Sequence, residues 1–221
     1  MIELDHVSKW YDLPRGGRHH VYRDLCLRLP ARTNIGILGR NGAGKSTLIR
    51  MLAGIDPPSA GSIRTQGRVS PPIGVSGGLS SWLTGAENAK FVCRIFGDSD
   101  EVMRQRMAFV KEFAQLGDFF QQPIRTYSSG MRARFGFAVS MAFDYDYYLV
   151  DEVTAVGDER FRRRANAMFA SKRGMAGILL VSHNVDSLRE QCTVGLHISG
   201  GVVRYFDDIN EAISAYRKDN R

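Results

Sequence analysis

Cysteine is scarce in this chain: Cys26, Cys93 and Cys192 are three in 221 residues, odd in number and far apart. No CxxC pair and no Cys/His cluster stands out, so neither a disulfide framework nor a zinc site is expected, and a reducing compartment fits. Long apolar runs are missing too. The longest, such as FGFAVSMAF at 135–143, fall far short of the ~20 residues a membrane span needs. The opening MIELDHVSKWY carries Glu3 and Asp5 and no apolar h-region, so no secretory signal is expected there. Any membrane association is then expected to be peripheral or through a partner. Acids are in deficit, 23 Asp and Glu against 30 Lys and Arg, for a net charge of +7 and a pI of about 9.5. That balance favours anionic partners (nucleotides, polyanions, acidic membrane surfaces) without choosing among them, and a solvated basic surface accounts for it equally well. Repeats and low-complexity tracts are absent, and 43% hydrophobic with 24% charged residues is a globular composition. The length suits one domain, 1–221, with room for a subdomain.

What is present is an alternation of strands and helices. Residues 2–7 and 21–29 alternate apolar and polar like β-strands, and LPRGGRHH (13–20) between them reads as a basic loop. TNIGILGRNGAGKSTLIRMLAG (33–54) runs strand, glycine-rich turn, helix, with Pro57 and Pro58 barring continuation. Residues 61–84 are rich in Gly, Ser and Pro, with short β-like pieces at 62–65 and 68–70. Helical patterns follow at about 85–96, 99–116 and 129–143. Residues 147–150 and 177–183 read as buried strands and 159–172 as a basic helix. A short helix at 184–191, a β-hairpin over 194–206 and a helix near 208–217 complete the chain. This pattern predicts an α/β fold with a largely parallel core sheet, an N-terminal antiparallel β-subdomain and a helical subdomain at about 85–143.

The glycine-rich turn carries chemistry. GRNGAGKS fits G-x-x-x-x-G-K-[ST], preceded by the apolar run IGIL and followed by an amphipathic helix. A chance match is expected in on the order of one per cent of chains this long, and the strand–turn–helix setting lowers that further. The segment Gly39, Arg40, Asn41, Gly42, Ala43, Gly44 lets successive backbone N–H groups close around phosphate oxygens at the positive end of a helix. Lys45 is placed to neutralise the β/γ-phosphates, Ser46 to ligate Mg²⁺ and Thr47 to reach the α-phosphate. A nucleotide is therefore the expected ligand.

Asp151 and Glu152 end the apolar strand YYLV, where ligands sit in an open parallel sheet. Two acids capping a strand in solvent would explain the pair if it stood alone. Beside a phosphate loop, Asp151 is placed to hold Mg²⁺ through water and Glu152 to polarise the attacking water. His183 ends another such strand, ILLVSH, and is a candidate for a γ-phosphate contact rather than a structural histidine. YSSGMR (127–132) reads locally as a serine-capped helix start.

In this order, the phosphate loop, the helical insertion, the serine–glycine segment, DE and SH resemble the ATP-binding subunit of ABC transporters across essentially the whole chain. The resemblance implies ATP as ligand and Mg²⁺ as cofactor. Ser128, Ser129, Gly130 and Met131 match the family's leucine-serine-glycine-glycine-glutamine signature. Asp158 matches its D-loop aspartate, and Tyr11 the aromatic that stacks on adenine; an ordinary strand-end aromatic is the alternative for Tyr11. The implied assembly is a head-to-tail homodimer in which the signature of one copy caps the ATP held by the other, joined to integral membrane permease subunits.

The sequence also departs from the family pattern. Ser129 replaces a glycine, Met131 the glutamine, and Val153 the proline after the catalytic glutamate. No glutamine stands near Gly74–Ser76, where the family's Q-loop falls. SP-x-I-G-x-SGG, LTGAEN, TYSSGMR-R, SMAFDYDYYLVDE-x-TAVGD and AISAYRKD resemble the ATPases that export capsular polysaccharide from Gram-negative bacteria. The O-antigen and teichoic acid exporters share much of this pattern, and several carry an additional C-terminal domain for which this chain has no room. The expected setting is the cytoplasmic face of the inner membrane, with a polysaccharide cargo the subunit does not contact. The ATPase subunit of an O-antigen or teichoic acid exporter is the first alternative, and a non-transport ATPase acting on DNA or ribosomes is a remoter one. Such proteins usually have tandem domains or a long insertion, whereas only about 80 residues separate Ser46 from Ser128. No helix-turn-helix, RNP or zinc pattern points to nucleic acid. In ERFRRRANAMFASKR (159–173), Arg160 and Arg164 share a face, and Phe161, Ala165 and Met168 form the expected packing stripe. The arginine face is open to solvent, anionic lipid headgroups or a partner's loops.

Overall fold

A computed structural model describes residues 1–73, 79–151, 159–172 and 174–220. Contacts divide them into two compact units: one holds residues 1–72, the strand at Tyr147–Asp151 and the chain from Lys172 onward, and the other is built on Ile73–Asp144 and the helix that ends at Lys172.

In the first unit, period-two alternation makes β1 (Ile2–Asp12), which pairs antiparallel with β2 (Arg18–Leu29) and β4 (Ala60–Thr65) in the order β2-β1-β4. The register Trp10↔His20, Tyr11↔His19 and Asp12↔Arg18 continues the ladder through residues expected to be loop. The connection shrinks to 13–17, because Gly16 and Gly17 supply the positive φ a tight turn needs.

The second sheet of this unit runs β5 (Tyr147–Asp151), β6 (Gly177–Val181), β3 (Asn34–Gly39), β7 (Val194–Ser199), β8 (Val202–Phe206) in space. The first four are parallel and β8 is an antiparallel edge. GILLV of β6 is buried throughout, as expected of a strand covered on both faces. Three helices belong here: α1 (Lys45–Leu52), α6 (Val185–Gln191) and α7 (Ile209–Asp219). Ile2, Leu4, Leu29, Ile35, Ile37, Leu48, Ile49, Leu149, Leu179 and Leu196 share one apolar core.

The second unit is helical: α2 (Gly85–Ile95), α3 (Asp100–Ala114), α4 (Ser129–Met141) and α5 (Glu159–Lys172). Its centre is aromatic. Phe137 lies 5.6 Å from Phe113 and meets Phe161 and Phe169 edge-on at 5.5 Å each. The packing stripe of α5 is therefore Phe161 and Phe169, while Ala165 and Met168 are only half-buried. Arg164 does not stand in solvent beside Arg160 but lies over the Phe113 ring at 4.6 Å. No helix among the described residues is long and apolar enough to cross a membrane.

Candidate nucleotide site

The carboxyl ends of β3, β5 and β6 meet the start of α1 at a cavity of about 440 Å³. Tyr11, Asn41, Gly42, Gly44, Lys45, Ser46, Thr47, Asp151 and His183 line it, joined by His19, Val21 and Val181. Nine residues singled out in the sequence thus share one wall. Gly39, Arg40 and Ala43 complete the loop behind them: Lys45 donates from Nζ to the carbonyls of Gly39 and Arg40 at 2.8 and 2.9 Å.

The helix start lacks a side-chain cap. Gly44 stands at the N-cap with no side-chain cap bond, and the first turn of α1 holds no acid. With no acid beside it, the positive end of the helix dipole faces the cavity and favours an anion there. Gly44 has φ +106, and a Cβ there would lie 2.7 Å from Val21 and 2.8 Å from the Tyr22 hydroxyl. Tyr22 is buried and its hydroxyl donates to the Gly44 carbonyl at 2.9 Å, so β2 sets the height of the loop. Burial pushes the Tyr22 phenol above its usual range, so it remains a neutral donor.

Register brings the ends of β5 and β6 to the same cavity. Asp151 pairs with Val181, and His183 follows two residues beyond. The turn carrying His183 is pinned: the Asn184 N–H donates to the buried Ser182 hydroxyl at 3.0 Å, and the Asn184 side chain accepts from Asp186 and Ser187 as the cap of α6.

Tyr11 is 40% exposed, leaving a ring face available to a base. Its hydroxyl donates to Asp56 Oδ2 at 2.5 Å, and Asp56 also pairs with the buried Lys9, which donates to the Pro57 carbonyl at 2.8 Å. Burial alone would push the Asp56 carboxyl up. The hydrogen bonds from Lys9 and Tyr11, with the charges of Lys9 and Arg50, outweigh that and hold it below the usual carboxylate range. Lys9, His19 and Asp56 were not among the sequence candidates. His19 would have been found had the strand been carried to Arg18, which puts it opposite Tyr11.

Ser128, Ser129 and Gly130 lie in the helical unit. Ser128 caps α4, accepting from the Met131 N–H at 3.2 Å, and the Tyr127 ring is buried before it. Ser129 is exposed, and a Cβ added at Gly130 would meet nothing within 4 Å. Glu152, Asp158 and the segment expected to hold the Q-loop lie outside the described residues.

Fold, phosphate cradle and strand-end acid together define the ATP-binding subunit of an ABC transporter, and the chain matches that family over residues 22–155. It belongs to the ABC transporter family. It is 44% identical over 218 residues to the polysialic acid transport ATP-binding protein KpsT of Escherichia coli, covering 98% of this chain and 96% of that one. With the capsule polysaccharide export ATP-binding protein CtrD of Neisseria meningitidis serogroup B it shares 41% over 216 residues, 98% of each. Among solved structures, the dimeric post-hydrolysis state of the ATP-binding cassette MJ0796 bound to ADP and Pi superposes with a TM-score of 0.79, over 93% of this chain and 98% of that one. Identity there is 19%, so this likeness speaks for the fold.

Proposed function

We propose that this chain is the ATP-hydrolysing subunit of an ABC transporter that exports capsular polysaccharide across the inner membrane from its cytoplasmic face. The observation that carries the chemistry is the convergence of an uncapped helix end, Lys45, Asp151, His183 and Tyr11 on one pocket. Such donors suit phosphates, and an exposed aromatic ring suits a stacked base.

In this reading loop N–H groups between Asn41 and Thr47 bind the phosphates, and Lys45 trades the Gly39 and Arg40 carbonyls for β/γ-oxygens. Thr47 holds the α-phosphate, and Tyr11, fixed through Asp56, stacks on adenine. Ser46 and Asp151 line the same cavity and would hold Mg²⁺, which supplies positive charge against the phosphates when bound. Glu152, next in the chain after Asp151, orients and deprotonates the attacking water, and His183 contacts the γ-phosphate.

The cargo assignment rests on the near full-length likeness to proteins named for polysialic acid transport and capsule polysaccharide export. A head-to-tail homodimer is supported by the exposed Ser128 and Ser129 at the start of α4, where a second copy's γ-phosphate would sit. The dimer described for the ATP-binding cassette bound to ADP and Pi supports the same reading. A permease partner is supported by apolar side chains around α2: Trp82, Leu83, Phe91 and Ile95 are exposed. Asn88 holds the loop that carries Trp82 and Leu83 by donating to the carbonyls of Ser80, Leu83 and Thr84.

Glu152→Gln tests the chemistry. ATP binding is expected to persist while hydrolysis falls by about 10²-fold or more, and unchanged turnover removes Glu152 from its role. In the native host, that variant expressed in place of the wild type should leave polysaccharide inside the cell. A normal capsule in that strain refutes the transport reading.

A further inference from the structure

The scattered cysteines gave no sign of a metal site, yet the fold brings one of them to a histidine. Cys26 and His6, 20 residues apart in sequence, meet across the β1–β2 ladder, where the His6 N–H donates to the Cys26 Sγ at 3.4 Å. One donor atom each from Asp5, His6 and Cys26 lies within 4.8 Å of the other two, and all three residues are exposed. The separation of His6 Nε2 from Asp5 Oδ1 is 4.0 Å. A fourth residue completes the group: Asp24 Oδ1 lies 2.6 Å from His6 Nδ1.

The backbone here is not ordinary strand. The register slips between Leu4 and Val7, and His6 (φ 49) and Asp24 (φ 51) both adopt the left-handed region that side-chain-bearing residues rarely enter. Two elements lock this bulge. The Asp24 N–H donates to the Ser8 hydroxyl at 3.0 Å on one side. On the other, Gly61 (φ +81) lets β4 approach so closely that a Cβ would fall 2.2 Å from the His6 carbonyl oxygen. A bulge re-aims side chains, and this one turns Asp5 and His6 toward Cys26. Such local strain clusters at functional positions.

We propose that Cys26, His6 and Asp5 form a Zn²⁺ site on the exposed bulge of β1 and β2, with Asp24 as the positioning residue that holds the imidazole through Nδ1 and leaves Nε2 for the metal. The thiolate selects a borderline-soft ion over Mg²⁺ or Ca²⁺, and a mixed S/N/O set with water in the fourth position is a zinc arrangement. Zinc bond lengths place neighbouring donors roughly 3.3–3.6 Å apart, within a rotamer adjustment of the present separations. A carboxylate on the distal histidine nitrogen is the usual outer partner of such a ligand. Binding releases the Cys26 thiol proton, and the thiolate and Asp5 then balance the ion's charge.

The test is calorimetric titration of ZnCl₂ into the reduced, metal-stripped full chain with Mg²⁺ in large excess, and parallel Co²⁺ titration read by the thiolate-to-metal charge-transfer absorbance. One saturable Zn²⁺ per chain is expected. Cys26→Ser should abolish the charge-transfer band and weaken Zn²⁺ at least tenfold. His6→Asn, which keeps a residue tolerant of the left-handed backbone, should do the same to Zn²⁺ affinity. Asp24→Asn should cost about 10-fold through weaker orientation and lower basicity of the imidazole. Unchanged ATP hydrolysis and melting temperature in these variants show that the fold is intact. Absence of saturable 1:1 binding overturns the proposal. So does binding that survives in the Cys26→Ser, His6→Asn double variant, which would place the ion elsewhere.

Discussion

Three helix starts in this protein pose the same electrostatic problem and answer it differently. At α2, Thr84 and Glu87 form a complete capping box: the Thr84 hydroxyl accepts the Glu87 N–H, the Glu87 carboxylate accepts the Thr84 N–H at 2.8 Å, and its charge sits on the positive end of the helix. At α4, Ser128 satisfies one N–H and no acid follows in the first turn. At α1 neither device is present; glycine stands at the cap. Each N–H left unpaired by the chain is available to something outside it. A helix that closes its own end gains stability, while one that leaves it open gains a place for an anion, and the three ends run in that order.

The comparison breaks most decisively at α1. Lys45→Ala should lower ATP hydrolysis by about 10²–10³-fold and weaken nucleotide binding, measured by steady-state turnover and by fluorescent nucleotide titration. Near-normal turnover would mean that the open end is not where phosphates bind. At α4, Ser129→Arg should lower hydrolysis by roughly 10²-fold through the charge and bulk it puts on a partner's phosphate contact. Binding of ATP by a single copy should stay near normal, and full activity would leave Ser128's capping as the whole role of this segment. At α2 the effect should be on stability alone: Thr84→Ala is expected to cost about 1 kcal/mol in chemical denaturation and to leave ATP affinity unchanged.

The α2 end also carries a pH signature that sharpens the contrast. Hydrogen bonds from the Thr84 backbone and hydroxyl hold the Glu87 carboxyl below its usual range. A lowered carboxylate pKa stabilises the fold at pH values above the ordinary glutamate value of about 4.3. That contribution is lost as pH falls through the lowered folded-state value. Unfolding of the wild type and Glu87→Gln should therefore converge as the solution is acidified. No such convergence would mean that the box contributes through geometry rather than charge.

Legibility in the sequence followed the range of the interaction. The strand, turn and helix around Lys45 are local, and glycine spacing plus an apolar run prescribes them. The parallel strands ending at Asp151 and Val181 are legible because burial on both faces demands unbroken apolar runs. What resisted were features set by pairing across the chain. His19 enters the nucleotide pocket because its strand continues past the glycine turn in register with Tyr11. Phe169, rather than the neighbouring Met168, fills the aromatic centre because Phe137 meets it edge-on. Cys26 reaches His6 because a bulge shifts the register. None of these is a property of any short window.

The link from Tyr11 to Asp56 has a metrical consequence. Asp56 follows the far end of α1 and is latched to it, its N–H donating to the Arg50 carbonyl at 3.3 Å. The helix that opens at the phosphate loop thus closes beside the residue that anchors the aromatic ring. Its eight residues amount to about 12 Å of rise, so α1 acts as a ruler between the two ends of the pocket. Adding or removing one residue in it would change that span and swing Asp56 through about 100° of helical phase, detuning the ring from the cradle with every contacting side chain still in place.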